Sequence, residues 1–149
     1  MLILTALCFS LLCTSQFSFQ VINPASLKGA CDTLVYDVFV LPDCEPAKCS
    51  LTDRQIEKRL NSEVSFLKDN PTIKDTGGVR MIINCKGEVI NCQMDIKTQH
   101  DALNDQVKAV FNSLGQWKPA TIKGKPVDAA RYWTFTIKKG RIRFDGFNY

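Results

Sequence analysis

Cysteines are the residues of this chain best able to do chemistry. Five of them follow an apolar N-terminal segment, at Cys31, Cys44, Cys49, Cys85 and Cys92. Thiols in this number either bind a metal or form disulfides. A zinc site would use CxxC pairs or several histidines, whereas the sequence has no CxxC and a single histidine, His100. The cysteines therefore favour disulfides in an oxidising compartment, with no metal and no cofactor expected.

The first choice for a disulfide is Cys44–Cys49, because these residues flank a short loop that contains Pro46 and can close on each other. A bond from Cys31 or Cys49 to Cys85 is the second choice. Cys85 and Cys92 would lie at least four residues apart on a β-hairpin, roughly 13 Å. A disulfide needs Cα atoms within about 7 Å, so this pair is excluded. The odd count leaves at least one thiol free or paired with another chain.

His100 and Asp101 form the other pair with chemical potential. Together they could be part of a catalytic dyad, but no serine or cysteine nucleophile lies in a recognisable sequence setting. A single histidine at the start of a predicted helix is usually a surface residue. We therefore expect no enzymatic activity.

The N-terminal segment predicts export. Residues 1–20 are apolar and almost uncharged, which is typical of a signal peptide, although no Lys or Arg precedes the apolar core. A retained membrane anchor is the alternative, and membrane contact is expected only through such an uncleaved N-terminus. Residues 21–50 are expected to form an extended arm with a cysteine-containing loop, and residues 51–149 a folded domain.

Two segments show the periodicity of amphipathic helices, over residues 50–70 and 98–115. The candidate N-caps are Ser50 or Thr52 for the first helix, and Thr98 or Asp101 for the second. The apolar stripe of the first helix consists of Ile56, Leu60, Val64 and Leu67. The stripe of the second consists of Leu103, Val107, Val110, Phe111 and Leu114.

Two β-hairpins complete the domain, and Thr33–Leu41 adds a short strand or extended arm. The first hairpin joins residues 79–83 to 88–96, and the second turns at Lys139-Gly140. The second places Ile137 opposite Ile142, and Phe135 opposite Phe144. The first is expected to direct Val79, Met81, Ile83, Ile90, Cys92, Met94 and Ile96 to the core, through a loop of two or four residues. The prediction is an α+β fold, an antiparallel sheet of three to four strands with helices on one face.

The order of these elements resembles the C-terminal domain of TonB-type energy-transducer proteins. The resemblance rests on Gly78–Asn84 leading into Lys86-Gly87-Glu88-Val89, then the helix, then Trp117-Lys118-Pro119-Ala120 and Gly124-Lys125-Pro126-Val127. It covers 78–137, about two-fifths of the chain. The wording of these motifs looks most like small members of the family from the Bacteroidetes.

The resemblance implies a non-enzymatic protein of the periplasm or cell envelope, associated with TonB-dependent outer-membrane transport. In the family, the strand after Gly-Lys-Pro-Val accepts an extended peptide from a receptor as an added strand. That edge corresponds here to Tyr132–Lys138, with Tyr132, Thr134, Thr136 and Lys138 as the implied peptide-binding residues. The implied partner is an envelope protein or a receptor peptide.

Two departures from the family favour an alternative function. The N-terminal segment has no histidine and is followed by no proline-rich spacer, both of which full transducers have. A strand at Arg141–Phe144, paired on the edge of Tyr132–Lys138, would also block the peptide site. The alternative is a disulfide-stabilised structural or assembly module that has lost receptor-peptide binding.

The second hairpin has one basic face, formed by Lys138, Lys139, Arg141 and Arg143. This face either contacts an anionic lipid, a glycan or an acidic peptide, or is solvated and discourages edge-to-edge association. The net charge of +4 is mild, and basic residues do not alternate with aromatic ones. We therefore expect no nucleic-acid partner.

Overall fold

The computed structural model describes residues 27–37 and 43–146. The predicted signal segment 1–20 and the second half of the predicted strand Thr33–Leu41 lie outside these residues. The strands are β1 (Tyr36–Asp37), β2 (Cys44–Glu45), β3 (Lys48–Cys49), β4 (Asp75–Ile83), β5 (Val89–Ile96), β6 (Trp117–Lys118), β7 (Ala120–Ile122), β8 (Lys125–Val127), β9 (Ala129–Lys138) and β10 (Arg141–Phe144). The helices are α1 (Asp53–Glu63), α2 (Ser65–Asp69) and α3 (Asp101–Asn112). Within the described ranges, none of these helices has the length and apolar character needed to cross a membrane.

The main sheet has five strands in the order β1-β9-β4-β5, with β10 also paired to β9. The strands pair in antiparallel fashion, except that β1 runs parallel to β9. The α+β class predicted from the sequence is confirmed. The predicted sheet of three to four antiparallel strands differs from this mixed sheet because part of the N-terminal arm, β1, joins β9.

Thr52 is the N-cap of α1. It is one of the two residues, Ser50 and Thr52, that the sequence offered for this position. The Gln55 N–H donates to the Thr52 hydroxyl over 3.3 Å, and the Thr52 N–H donates to the Gln55 side-chain oxygen over 2.9 Å. This reciprocal pair is a capping box, which satisfies two N–H groups that the first helical turn leaves unpaired. The single predicted helix is divided at Val64, whose extended backbone separates α1 from α2.

All three helices pack on one face of the sheet. Their predicted apolar stripes, together with Val79, Met81, Ile83, Trp133, Phe135, Ile137 and Ile142, belong to one buried cluster. A smaller cluster on the other face contains Val35, Ile82 and Ala130, with Leu27 packed against it. The helices therefore cover one face of the sheet, and part of the N-terminal arm covers the other.

The first hairpin differs from its predicted register at two positions. The pairing of β4 with β5 shifts between Ile82 and Ile83 and again between Gly78 and Val79. Each irregularity moves the following side chains to the opposite face, since side chains alternate along a strand. Ile90 consequently packs with Ile82 on the face away from the helices. Ile96 pairs with Gly78 and is 49% exposed.

The second hairpin is confirmed in its predicted register, with Ile137 opposite Ile142 and Phe135 opposite Phe144. Lys139 and Gly140 both have positive φ, at 53° and 65°. Positive φ at both central residues is the geometry of a type I′ turn, whose twist matches that of the two strands it joins.

Candidate functional site

The backbone at three of the four predicted peptide-binding residues of β9 already pairs with other parts of the chain. Thr136 pairs with Arg143 and Lys138 with Arg141 of β10. The Thr134 carbonyl accepts a hydrogen bond from the Asp145 N–H over 3.0 Å. Further along the same edge, Ala129 and Ala130 pair with β1. The Lys139-Gly140 turn folds β10 back onto this edge, so Arg141–Phe144 covers it, which is one of the two outcomes that the sequence left open.

The outer edge of β10 does not replace the lost edge, because side chains of α1 already bind it. The Asn61 side chain donates to the Ile142 carbonyl and accepts from the Ile142 N–H, each over 2.9 Å. The Glu57 carboxylate accepts from the Phe144 N–H over 3.1 Å. These two side chains supply the hydrogen bonds that another strand would make, which is a way of protecting a sheet edge.

The direction of the backbone groups on β9 follows from one hydrogen bond. In an antiparallel sheet, the N–H and C=O groups of successive residues point to opposite sides of the strand. Because Thr134 bonds to Asp145 on the β10 side, its neighbour Trp133 must bond to β4, where it pairs with Val79.

The same alternation identifies the free groups at the other edge of the sheet. Arg80, next to Val79 on β4, faces β5 and pairs with Gln93. Cys92 and Met94, on either side of Gln93, therefore direct their N–H and C=O groups away from the sheet. No strand and no side chain among the described residues bonds to them. The outer edge of β5 is therefore open, whereas side chains of α1 cap the outer edge of β10.

A groove of about 340 Å³ lies beside this open edge, between β5 and α3. Its lining includes Cys92 and Met94 from the strand. Charged residues of both signs line the rest of the groove, namely Lys97, Asp101, Asp105 and Lys108. A strand added along β5 would place every second side chain on the side of this groove.

Cys92 is a free, half-buried thiol in this groove. Burial raises the pKa of its thiol from the ordinary value of 9.0 to about 11, and the nearby Lys108 ammonium opposes this shift. Because the thiolate is the reactive form, Cys92 is a weak nucleophile near neutral pH.

Alkylation of Cys92 by iodoacetamide at pH 8 is expected to be about 100-fold slower in the folded protein than in urea, since each pKa unit reduces the thiolate fraction about tenfold. The rate should rise as the pH approaches 11. Lys108→Gln should slow it further, because the pKa-lowering ammonium is lost. Mass spectrometry of a pH series measures the rate. A plateau below pH 9 would contradict a raised pKa.

One disulfide is present among the described residues, between Cys31 and Cys85, with Cα atoms 6.0 Å apart. It corresponds to the second choice made from the sequence. The first choice, Cys44–Cys49, is wrong, because both residues are free thiols. Cys44 lies opposite Ile122 and Cys49 opposite Trp117. Those partners are five positions apart along the extended chain, on the order of 15 Å, so the two cysteines lie too far apart for a disulfide.

Asp128 lies beside the disulfide, is fully buried, and accepts hydrogen bonds from the backbone on both sides of the bridge. Its carboxylate accepts from the Cys31 N–H over 2.7 Å, the Asp32 N–H over 3.2 Å and the Cys85 N–H over 2.7 Å. Three N–H donors satisfy the buried carboxylate, as burial of a charge requires. Asp128 therefore joins the arm to the loop of the first hairpin.

Asn84 performs a similar task within that loop. Its side-chain nitrogen donates to the Gly29 carbonyl over 2.9 Å, and its oxygen accepts from the N–H groups of Lys86 and Glu88. The sequence did not reveal that Asp128 and Asn84 hold the arm against this loop. A polar residue that ends an apolar strand, like Asn84 after Ile83, is nevertheless a recognisable signal for a turn.

The arrangement around the bridge does not resemble a metal centre. Potential ligand atoms of Cys31, Cys85 and Asp128 lie within 4.8 Å of one another. However, the two sulfur atoms are bonded together and the carboxylate is occupied by N–H groups. His100 is exposed at the start of α3, and its ring contacts Phe66 at a centroid distance of 5.1 Å.

Neither a protein-family model, nor a curated protein, nor a solved structure matches this chain. The contacts described above therefore carry the functional argument.

Proposed function

We propose that this chain is a non-enzymatic polypeptide-binding module of the bacterial cell envelope, related to TonB C-terminal domains and associated with TonB-dependent outer-membrane transport. Its partner is an extended segment of an envelope protein or receptor, which binds as an added strand. The binding edge is β5 rather than the expected Tyr132–Lys138. The observation that carries this proposal is the open edge at Cys92 and Met94, opposite an edge that α1 caps.

Charge and shape at β5 support this mode of binding. The backbone groups of the edge give affinity for any extended chain, and pockets for alternate side chains give specificity. The groove between β5 and α3 can take alternate side chains of the added strand, with Cys92 and Met94 lining it and charges of both signs around it. Ile96, at the end of the strand, is a large apolar side chain that is half exposed.

The disulfide supports the proposed compartment. A Cys31–Cys85 bond persists in an oxidising environment such as the periplasm. Export through residues 1–20 is part of the proposal.

Hydrogen exchange on the isotope-labelled protein tests the edge. Proteins of an envelope fraction that bind the purified chain are first identified, and an extended segment of the recovered protein is then synthesised. This segment should slow exchange of the outward Cys92 and Met94 amides at least about tenfold. The Gln93 amide, already bonded to β4, serves as the internal control. A TonB-dependent receptor among the recovered proteins would support the transport association.

A charge variant provides a second test. Ile96→Lys places a charge on the edge strand, a change that discourages strand pairing. Its affinity for the segment should fall about tenfold. Gln116→Lys adds the same charge at another exposed position, and its affinity should not change. Equal affinities in both variants, or protection of amides elsewhere, would overturn the assignment to β5.

A second candidate function is supported by the covered edge of β9. Because β10 and β1 occupy that edge, the family's usual peptide site is blocked at most of its length. This favours a structural or assembly module stabilised by its disulfide. Such a module would retain no TonB-dependent receptor in the capture experiment, and its Cys92 and Met94 amides would exchange at the same rate in every mixture.

A further inference from the structure

A second groove, of about 550 Å³, lies on the other side of the molecule between α1, α2 and β10. Five cationic side chains line it, namely Arg54, Lys58, Lys68, Arg141 and Arg143. All five are exposed. The sequence suggested a basic face from the β9–β10 hairpin alone, and the fold adds the cations of both helices to it.

None of these five cations is ion-paired in the described part of the chain. Acidic side chains there pair instead with Lys48, Arg59, Arg80, Lys108 and Lys118. One carboxylate, Glu57, lines the groove. Its Oε2 atom is engaged by the Phe144 N–H. The positive charge of the groove is therefore largely uncompensated by the protein itself.

The cations sit on a rigid frame. Arg54 and Lys58 are four residues apart, so they lie on the same side of α1. Arg141 and Arg143 are two residues apart and lie on the same face of β10. The Asn61 hydrogen bonds to Ile142 hold α1 against β10 and so fix the distance between these two pairs.

The turn beside the groove is equally constrained. Gly140 packs so closely on the α2 end that an added Cβ would lie 2.9 Å from the Pro71 Cα atom and 3.0 Å from the Leu67 carbonyl. The groove is thus formed before a ligand arrives, which reduces the entropy lost on binding.

We propose that this groove binds a compact anion that carries several phosphate charges, either free or as the headgroup of a larger molecule. Three of the five cations are arginines, whose planar guanidinium groups bind phosphate oxygens through two parallel hydrogen bonds. Helix and strand present these charges from two sides of one open groove, so a compact anion that lies between them can contact both sides at once. The site is separate from the β5 edge and does not depend on strand addition.

Calorimetric titration with pyrophosphate at constant ionic strength tests the site. One saturable site is expected for the unmodified chain. Lys58→Gln/Arg141→Gln should bind pyrophosphate at least about tenfold more weakly, because each lost charge-assisted hydrogen bond is a strong one. Lys123→Gln/Lys125→Gln removes the same net charge from the exposed β7–β8 turn and should bind unchanged. Because all four positions are exposed, both variants should keep the circular dichroism spectrum of the fold.

The source of the phosphate is distinguished by further arms of the same experiment. Vesicles that contain cardiolipin, whose headgroup carries two phosphates, are compared with phosphatidylcholine vesicles to test a membrane headgroup, and polyglutamate tests an acidic chain. Binding of pyrophosphate supports a free anion as the ligand, and binding of the anionic vesicles alone supports a lipid headgroup. In either case, the groove variant Lys58→Gln/Arg141→Gln should lose the binding and the control variant should keep it. Binding of polyglutamate alone, equal loss in both variants, or no binding of either phosphate ligand would overturn the proposal.

Discussion

Replacing Gly87 by alanine should lower the free energy of unfolding by about 4 kcal/mol, whereas Gly124→Ala should cost only about 1 kcal/mol. Both glycines have positive φ, at 82° and 76°. An alanine in this conformation costs roughly 1–2 kcal/mol at either position. The difference between the two variants comes from the space around each glycine.

A Cβ atom at Gly87 would overlap the Trp117 carbonyl oxygen, while a Cβ at Gly124 would meet nothing within 4 Å. The Trp117 backbone cannot easily withdraw, because its N–H donates to the Gly87 carbonyl and its side chain is 3% exposed against Trp133. Urea denaturation of the oxidised proteins measures both costs. Equal destabilisation would mean that strained φ alone, without the clash, determines the effect.

The parts of the fold that were predicted correctly have local signals. Lys139-Gly140 specifies a two-residue turn, and that turn determines the register of every pair in its hairpin. The sequence placed the start of the first helix at Ser50 or Thr52, and the structure has a capping box between Thr52 and Gln55, three residues apart. In each case the residues that interact are neighbours in sequence, so their types and spacing contain the information.

The errors concern contacts between distant segments or irregularities with no signal in composition. The two shifts in β4–β5 pairing moved Ile90 and Ile96 to the other face, although their alternation in the sequence suggested the core. The predicted Cys44–Cys49 bridge joined near neighbours, while the observed one joins residues 54 positions apart. That bond requires the arm to lie against the first hairpin, which no local pattern reveals.

The candidate site shows the same division. The sequence predicted that Arg141–Phe144 could cover the family's peptide edge, because the turn before it is a local feature. It did not predict that Asn61 and Glu57 cap β10, since both lie on the polar side of an ordinary amphipathic helix. The open edge of β5 follows from strand order, and strand order depends on pairings between residues far apart in the chain.

Removing the disulfide by Cys31→Ser/Cys85→Ser is expected to destabilise the protein by about 4 kcal/mol. A bridge across a separation of 54 residues restricts the unfolded chain strongly, and its loss releases that entropy. Urea denaturation of the oxidised protein and of the variant measures the difference. An effect below about 1 kcal/mol would show that the other contacts of the arm, including the packing of Val35, hold it in place without the bond.

Asp128→Asn should then separate the contribution of the carboxylate from that of the bond. With the disulfide intact, the variant should lose about 3 kcal/mol, because the buried amide has one acceptor oxygen for three N–H groups and its NH₂ group faces donors. Without the disulfide the loss should be nearer 1 kcal/mol, since the residue-31 segment can move away and let water reach the site. Asp69→Asn, at an exposed carboxylate, should change stability by less than about 0.5 kcal/mol in either background. The difference between the two Asp128→Asn values is the coupling energy of carboxylate and bridge. A coupling near zero would mean that Asp128 holds the first hairpin loop independently of the bond to Cys31.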